Sequence, residues 1–252
     1  MRPGPRTTAL WVVFPLVLVP ALTHIGSSGT STDSSAVVRS APLAPGAGPA
    51  SSSAGNTKAD AGTPVLLRAT LNPINHSGAH GSAVATLRGT TLSIRIDTSG
   101  LAVDLPHAQH IHIGASHTCP APGATGGGVG GQVRSKDAKK TVGPIAVSLT
   151  TTGDTSPDSD YALDRFPVGD AGYDRTITVS PQVAADLRAG RGVIEQHGVD
   201  RNHDGRYDGG ARSDAKPTLP QETSNTAACG RLQRAPYQVP VGGVAAGGGG
   251  TA

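Results

Sequence analysis

Aromatic residues make up only 3% of this 252-residue sequence: two Phe, one Trp and four Tyr. Basic residues are never interleaved with aromatics in a run, so the stacking platforms and cationic stripes that hold nucleic acid are missing. Glu195 and Glu222 are the only glutamates, which gives no support to a paired-glutamate glycosidase, although pairs among the aspartates stay open. No G-x-S-x-G elbow accompanies the serines, histidines and aspartates, so a hydrolase has no motif to rest on. Long apolar runs are also lacking. The best, Ala9 to Leu22, is interrupted by Pro15 and Pro20 and is short for a membrane span.

That run follows Arg2 and Arg6, and the combination predicts a signal peptide over residues 1–26, with an uncleaved anchor as the alternative. No cysteine stands directly after it, so a bacterial lipid anchor is not expected. The expected location is extracytoplasmic: secreted, or retained at the cell envelope. Residues 27–63 are Ser, Ala, Gly, Pro and Thr with almost no large apolar side chain, so nothing there offsets the entropy of ordering. They predict a disordered linker, and residues 238–252, mostly Gly and Ala, predict a disordered tail. Much of the chain's 35 Gly and 20 Pro falls in these flanks, leaving one domain over 64–237.

The chain has just two cysteines, Cys119 and Cys229. In an exported protein an even pair predicts one disulfide, against the alternative of two free buried thiols. Net charge is +3 and dispersed. Its longest basic feature, Arg134 to Lys140, reads as a solvated loop, with an anion-attracting patch as the minor alternative. The glycine-rich stretch Gly123 to Gly131 reads as a flexible loop; it lacks the Lys-Ser/Thr ending of a phosphate loop.

Within the domain the apolar pattern has period two. Leu92, Ile94 and Ile96 alternate with Ser93, Arg95 and Asp97, and a similar run over Ser82–Arg88 precedes the turn Gly89-Thr90, which predicts a hairpin. Further strands are predicted at Val65–Leu71, around His110, at Val142–Thr150, at Arg175–Val179 and at Gly192–Gly198. Ser180-Pro181 predicts the start of one short helix, ended by Gly190. About seven short strands separated by Gly/Pro turns define an all-β, antiparallel sandwich or barrel.

Histidine is concentrated in His107-Ala108-Gln109-His110-Ile111-His112. On a strand, His110 and His112 share one face while Ile111 and Ile113 take the core face. Such a pair offers two imidazoles to one metal ion, but copper or zinc needs three or four donors. His197 on a distant strand, and His107 and His117 nearby, are candidates for the rest; the alternative is a pair of exposed histidines on a polar strand face. A second candidate site, Asp200, Asn202, Asp204 and Asp208 around Gly205, has the alternating oxygens of a calcium loop but carries Ala211 where the closing Glu would stand. The alternative there is a turn rich in Asp, Asn and Gly.

Two family resemblances rest on these residues. Ala69-Thr70-Leu71, Ala85-Thr86-Leu87, Leu92 to Leu101 and the histidine stretch resemble the CHRD domain, a secreted β-sandwich module. His107 to Gly114, Cys119, Val193 to Gly198 and Ala228-Cys229-Gly230 resemble, in that order, segments of the copper/zinc superoxide dismutases. The resemblance implies a Greek-key sandwich/barrel, copper held by His110, His112 and His197, and a Cys119–Cys229 disulfide. It further implies superoxide as substrate and one-electron cycling of the metal as the chemistry. Departures from that family are specific. Between Cys119 and Gln196 there is no histidine, so a zinc site of the family type is absent, and the bridging histidine has no better match than His117. Where the family carries an arginine that guides superoxide, this chain has Thr226. A copper-only dismutase, a copper-holding protein and a metal-free extracellular module are all compatible with the sequence.

Overall fold

A computed structural model describes residues 63–236. The signal peptide, nearly all of the linker and the glycine-rich tail expected from the sequence lie outside the described residues.

Nine strands form one antiparallel sheet: β1 (Val65–Pro73), β2 (His80–Arg88), β3 (Thr91–Ser99), β4 (Gln109–His112), β5 (Ile145–Ser148), β6 (Tyr173–Thr178), β7 (Val193–His197), β8 (Thr226–Arg231) and β9 (Gln233–Arg234). The order across the sheet is β5-β4-β7-β8-β1-β2-β3-β6, with β9 beside β1. The long strand β1 is the fold line. Val65 to Leu71 pair with β2, whereas Asn72 and Pro73 pair with β8, so one strand serves both halves. The halves close on a shared core of Leu67, Leu71, Ile94 and Ile96 from one side and Ile111 and Ile194 from the other. The architecture is the all-β sandwich/barrel expected from the alternation.

The β2–β3 hairpin forms as predicted, with Leu87 opposite Leu92 and Gly89 at φ 56° in the connecting turn. Along β3 burial alternates at every residue, so its outer face is wet. The other half of the sheet differs. Both faces of β4 and β7 are buried, because long loops and a helix cover the outer face.

That helix, α1 (Ser135–Val142), corrects the reading of Arg134–Lys140 as a loop. Asp137 accepts hydrogen bonds from the backbone amides of Arg134 (3.2 Å) and Gly127 (2.9 Å), which starts the helix and ties it to the glycine-rich segment. Ala138 and Val142, four residues apart, face inward and join Val193 and Cys229 in a small outer core. The glycine-rich segment is itself built into the fold: the amide of Gly126 donates to the carbonyl of Gly131 and that of Gly128 to the carbonyl of Gln132. The predicted helix is α2 (Pro181–Arg188), and the Ser180 hydroxyl accepts from the Val183 amide at 3.2 Å, as an N-cap does. A third helix, α3 (Gln221–Ser224), is a single turn leading into β8.

Cys119 and Cys229 form a disulfide, which rules out the free-thiol alternative. It ties the loop after β4 to the middle of β8. Among the described residues no helix is long and apolar enough to cross a membrane.

Candidate metal centre

Strands β4 and β7 are neighbours, with His110 opposite Glu195 and His112 opposite Val193. Paired residues share a face, so His110, His112 and Glu195 all point away from the Ile111/Ile194 core. His197 lies two residues beyond Glu195 and completes the group. A register shift between Gln196 and His197 accompanies this end of β7. One ligating atom from each of His110, His112 and His197 lies within 4.8 Å of the other two. Among the described residues, this is where three such donors converge.

All three histidines are buried, His110 completely, so the alternative of an exposed His110/His112 pair on a polar strand face is overturned. The covering layer is the loop after β5, which supplies Asp160, Tyr161 and Phe166, together with α1 and α3. Each ring is fixed through its other nitrogen. His110 Nε2 donates to the Asp160 carbonyl (2.8 Å), His112 Nδ1 to that of Gly143 (2.9 Å) and His197 Nδ1 to that of Ser224 (2.9 Å). A carbonyl only accepts, so in each neutral ring the proton sits on that nitrogen and the lone pair is left on the other. The lone-pair atoms are therefore His110 Nδ1, His112 Nε2 and His197 Nε2. The first two are buried and have no hydrogen-bond partner. Backbone carbonyls that orient imidazoles in this way are the usual outer support of a metal site.

Burial, reinforced by the neighbouring rings of His197 and His112, holds the His110 pKa well below its ordinary value. Burial also lowers that of His112, with Glu195 opposing the shift. Both imidazoles are consequently neutral and ready to coordinate at physiological pH. A cavity of about 420 Å³ reaches the group, with His112, Glu195, His197 and Tyr161 among its lining residues and the exposed Lys136 and Lys139 bordering it. The arrangement can hold one transition-metal ion on imidazole nitrogen and leave it accessible from one side.

The remaining candidates fall elsewhere. His107 is buried outside the group, between the carbonyls of His197 (2.9 Å) and Ala102 (3.0 Å). His117 has a left-handed backbone (φ 54°) and does not join the three ligating nitrogens. In the acidic loop, Asp200 accepts from the Gly205 amide (2.8 Å), Asp204 accepts from Asn202 Nδ2 (2.9 Å) and from the Arg206 amide (3.1 Å), and the amide of Asp208 donates to Glu222 (3.0 Å). These are the bonds of a self-supporting turn, and the structure does not gather those carboxylates as it gathers the histidines. Thr226 is buried, and its hydroxyl donates to Glu195. Glu195, Tyr161 and Phe166 were not among the residues expected at the site. For Glu195 a signal existed, since its i, i+2 spacing to His197 puts both on one strand face.

The fold and this site together define a β-sandwich module with a buried three-histidine group able to bind a metal ion. Residues 65–206 match the family model of the CHRD domain, more than half of the chain. The chain belongs to the CHRD domain family. No curated protein matches it.

Proposed function

We propose that this chain is an exported CHRD protein that binds copper through His110 Nδ1, His112 Nε2 and His197 Nε2. The observation that carries this reading is the set of three converging lone pairs, two of them buried and unpartnered, with every ring oriented by a backbone carbonyl. Imidazole donors suit copper, which heads the affinity order of the divalent first-row ions at such sites. The mixture of one Nδ1 and two Nε2 donors arises from the H-x-H pair on β4 and the single histidine on β7. Export is supported by the charged and apolar N-terminus and by the disulfide, which belongs to an oxidising compartment.

A second reading, superoxide dismutation, is favoured by one observation. The cavity gives access to the ligating group, and Lys136 and Lys139 beside it supply positive charge for a small anion where Thr226 supplies none. Copper bound there would supply one-electron chemistry, and the protein would hold the ion, exclude bulk water and attract the anion.

Metal titration of the purified chain, followed by a dismutase assay, separates the two readings. One copper bound per chain, and binding lost in His112→Ala and His197→Ala that remain folded, is expected. Unchanged binding in both variants overturns the copper reading. Binding without metal-dependent turnover overturns only the enzymatic one.

A further inference from the structure

We propose that Glu195 is a fourth protein ligand, through Oε2, so that the centre is a three-histidine, one-carboxylate site. The inference rests on the three-histidine reading and deepens it.

Glu195 is 1% exposed. A buried carboxylate is costly unless donors or a cation neutralise it. Its Oε1 is accounted for by the Thr226 hydroxyl. Its Oε2 is not: it faces His112 Nε2 at 3.3 Å and His197 Nε2 at 3.8 Å, and neither contact is a hydrogen bond. Each of those nitrogens belongs to a ring whose proton is already committed to a carbonyl on its other side. One nitrogen of each ring and a carboxylate oxygen therefore face one another with no hydrogen bond between them, the arrangement of donors around a shared cation. The separation from His112 is close to co-ligand spacing and that from His197 is longer, while Glu195 stands just outside the set of atoms that lie within 4.8 Å of one another, so its carboxylate would close onto the ion on binding. With metal–nitrogen and metal–oxygen bonds of about 2.0–2.2 Å, two donors on one tetrahedral ion sit about 3.4 Å apart. A charge-assisted N–H···O bond would be about 2.7–2.9 Å.

The consequence is selectivity. An anionic, hard oxygen donor favours a divalent ion over Cu(I), whereas imidazoles alone serve both copper states. Glu195 thus biases the site towards Cu(II) and against reduction. Thr226 is a positioning residue: by occupying Oε1 it leaves Oε2 as the free donor.

The test uses the full chain with Cu(II) and Co(II) as probes, comparing wild type with Glu195→Gln, which keeps the shape and the Thr226 contact. Competition titration should show Glu195→Gln binding at least tenfold more weakly. The Cu(II) paramagnetic resonance spectrum and the Co(II) visible spectrum should both change, and the copper potential should rise. Affinity within twofold of wild type with unchanged spectra would overturn the proposal while leaving the histidine site intact. Failure of wild type to bind either ion would overturn the histidine reading instead. Should Glu195→Gln not fold, the crystal structure of the Co(II)-loaded wild type decides. A Glu195 oxygen within about 2.3 Å of the ion supports the proposal, and one beyond 3 Å overturns it.

Discussion

The imidazole Nδ1 of His107 lies 2.9 Å from the carbonyl oxygen of His197. A histidine outside the ligating group thus fixes the backbone of one within it. The next residue, Gly198, has φ 105° and passes so close to this pair that a Cβ there would overlap the Tyr207 hydroxyl and stand 2.8 Å from His107 Nδ1. Only glycine accepts both the dihedral and the approach. Gly198→Ala should cost at least about 2 kcal/mol of stability, read from urea denaturation of the metal-free protein. It should also weaken metal binding, because His197 can no longer sit where the His107 contact holds it. Wild-type stability and affinity in this variant would show that His197 is positioned by β7 alone.

The Cys119–Cys229 disulfide closes a separation of 110 residues. On the chain-entropy view a loop of that length is worth about 4–5 kcal/mol. Both sulfurs sit in the small outer core that packs α1 over β7 and β8. Removing the bond in Cys119→Ser/Cys229→Ser should lower the urea midpoint sharply and loosen α1, and with it the Gly143 carbonyl that orients His112. Hydrogen exchange of the α1 amides in the double variant would detect this. Global destabilisation with α1 protection unchanged relative to the rest of the domain would disconnect the disulfide from the site.

Where one face of a strand is wet, the sequence announced it. Leu92, Ile94 and Ile96 on β3 alternate with polar residues, and the hairpin followed from them. Ser180 declared its helix through a local bond. The H-x-H spacing placed His110 and His112 on one face before any tertiary contact was considered. Most of what stayed hidden lacks local signals. Strand β8 runs Thr226-Ala227-Ala228-Cys229-Gly230, small residues buried on both faces, so no alternation marks it. Helix α1 carries three lysines and buries only Ala138 and Val142. Tyr161 comes from a turn-rich loop and reaches His110 and His197 only through the tertiary fold. Glu195 stood on a predicted strand, yet its meaning depends on the β4–β7 register that sets it opposite His110.

Burial of His107, His110 and His112 sets the direction of the pH dependence. In each case loss of solvent lowers the folded-state pKa below the ordinary value of about 6.5, and hydrogen bonds to carbonyls oppose it only in part. Between the folded and unfolded values the unfolded chain binds more protons, so stability rises with pH and is lost as pH falls below about 6.5. Each group contributes at most about 1.4 kcal/mol per pH unit. Asp137 acts in another window. Its hydrogen bond from Arg134 holds the carboxyl down to about 2, so the stability it confers is complete above about 4 and is lost as pH falls towards 2. Urea midpoints of the metal-free protein should therefore decline from pH 7 to pH 5, before that carboxylate begins to titrate. Bound metal should make the decline steeper, because protons then compete with the ion for the imidazole lone pairs. A midpoint that holds constant from pH 7 to pH 5 without metal would mean that these rings accept protons inside the fold as readily as in water, and would overturn the shifts assigned to their burial.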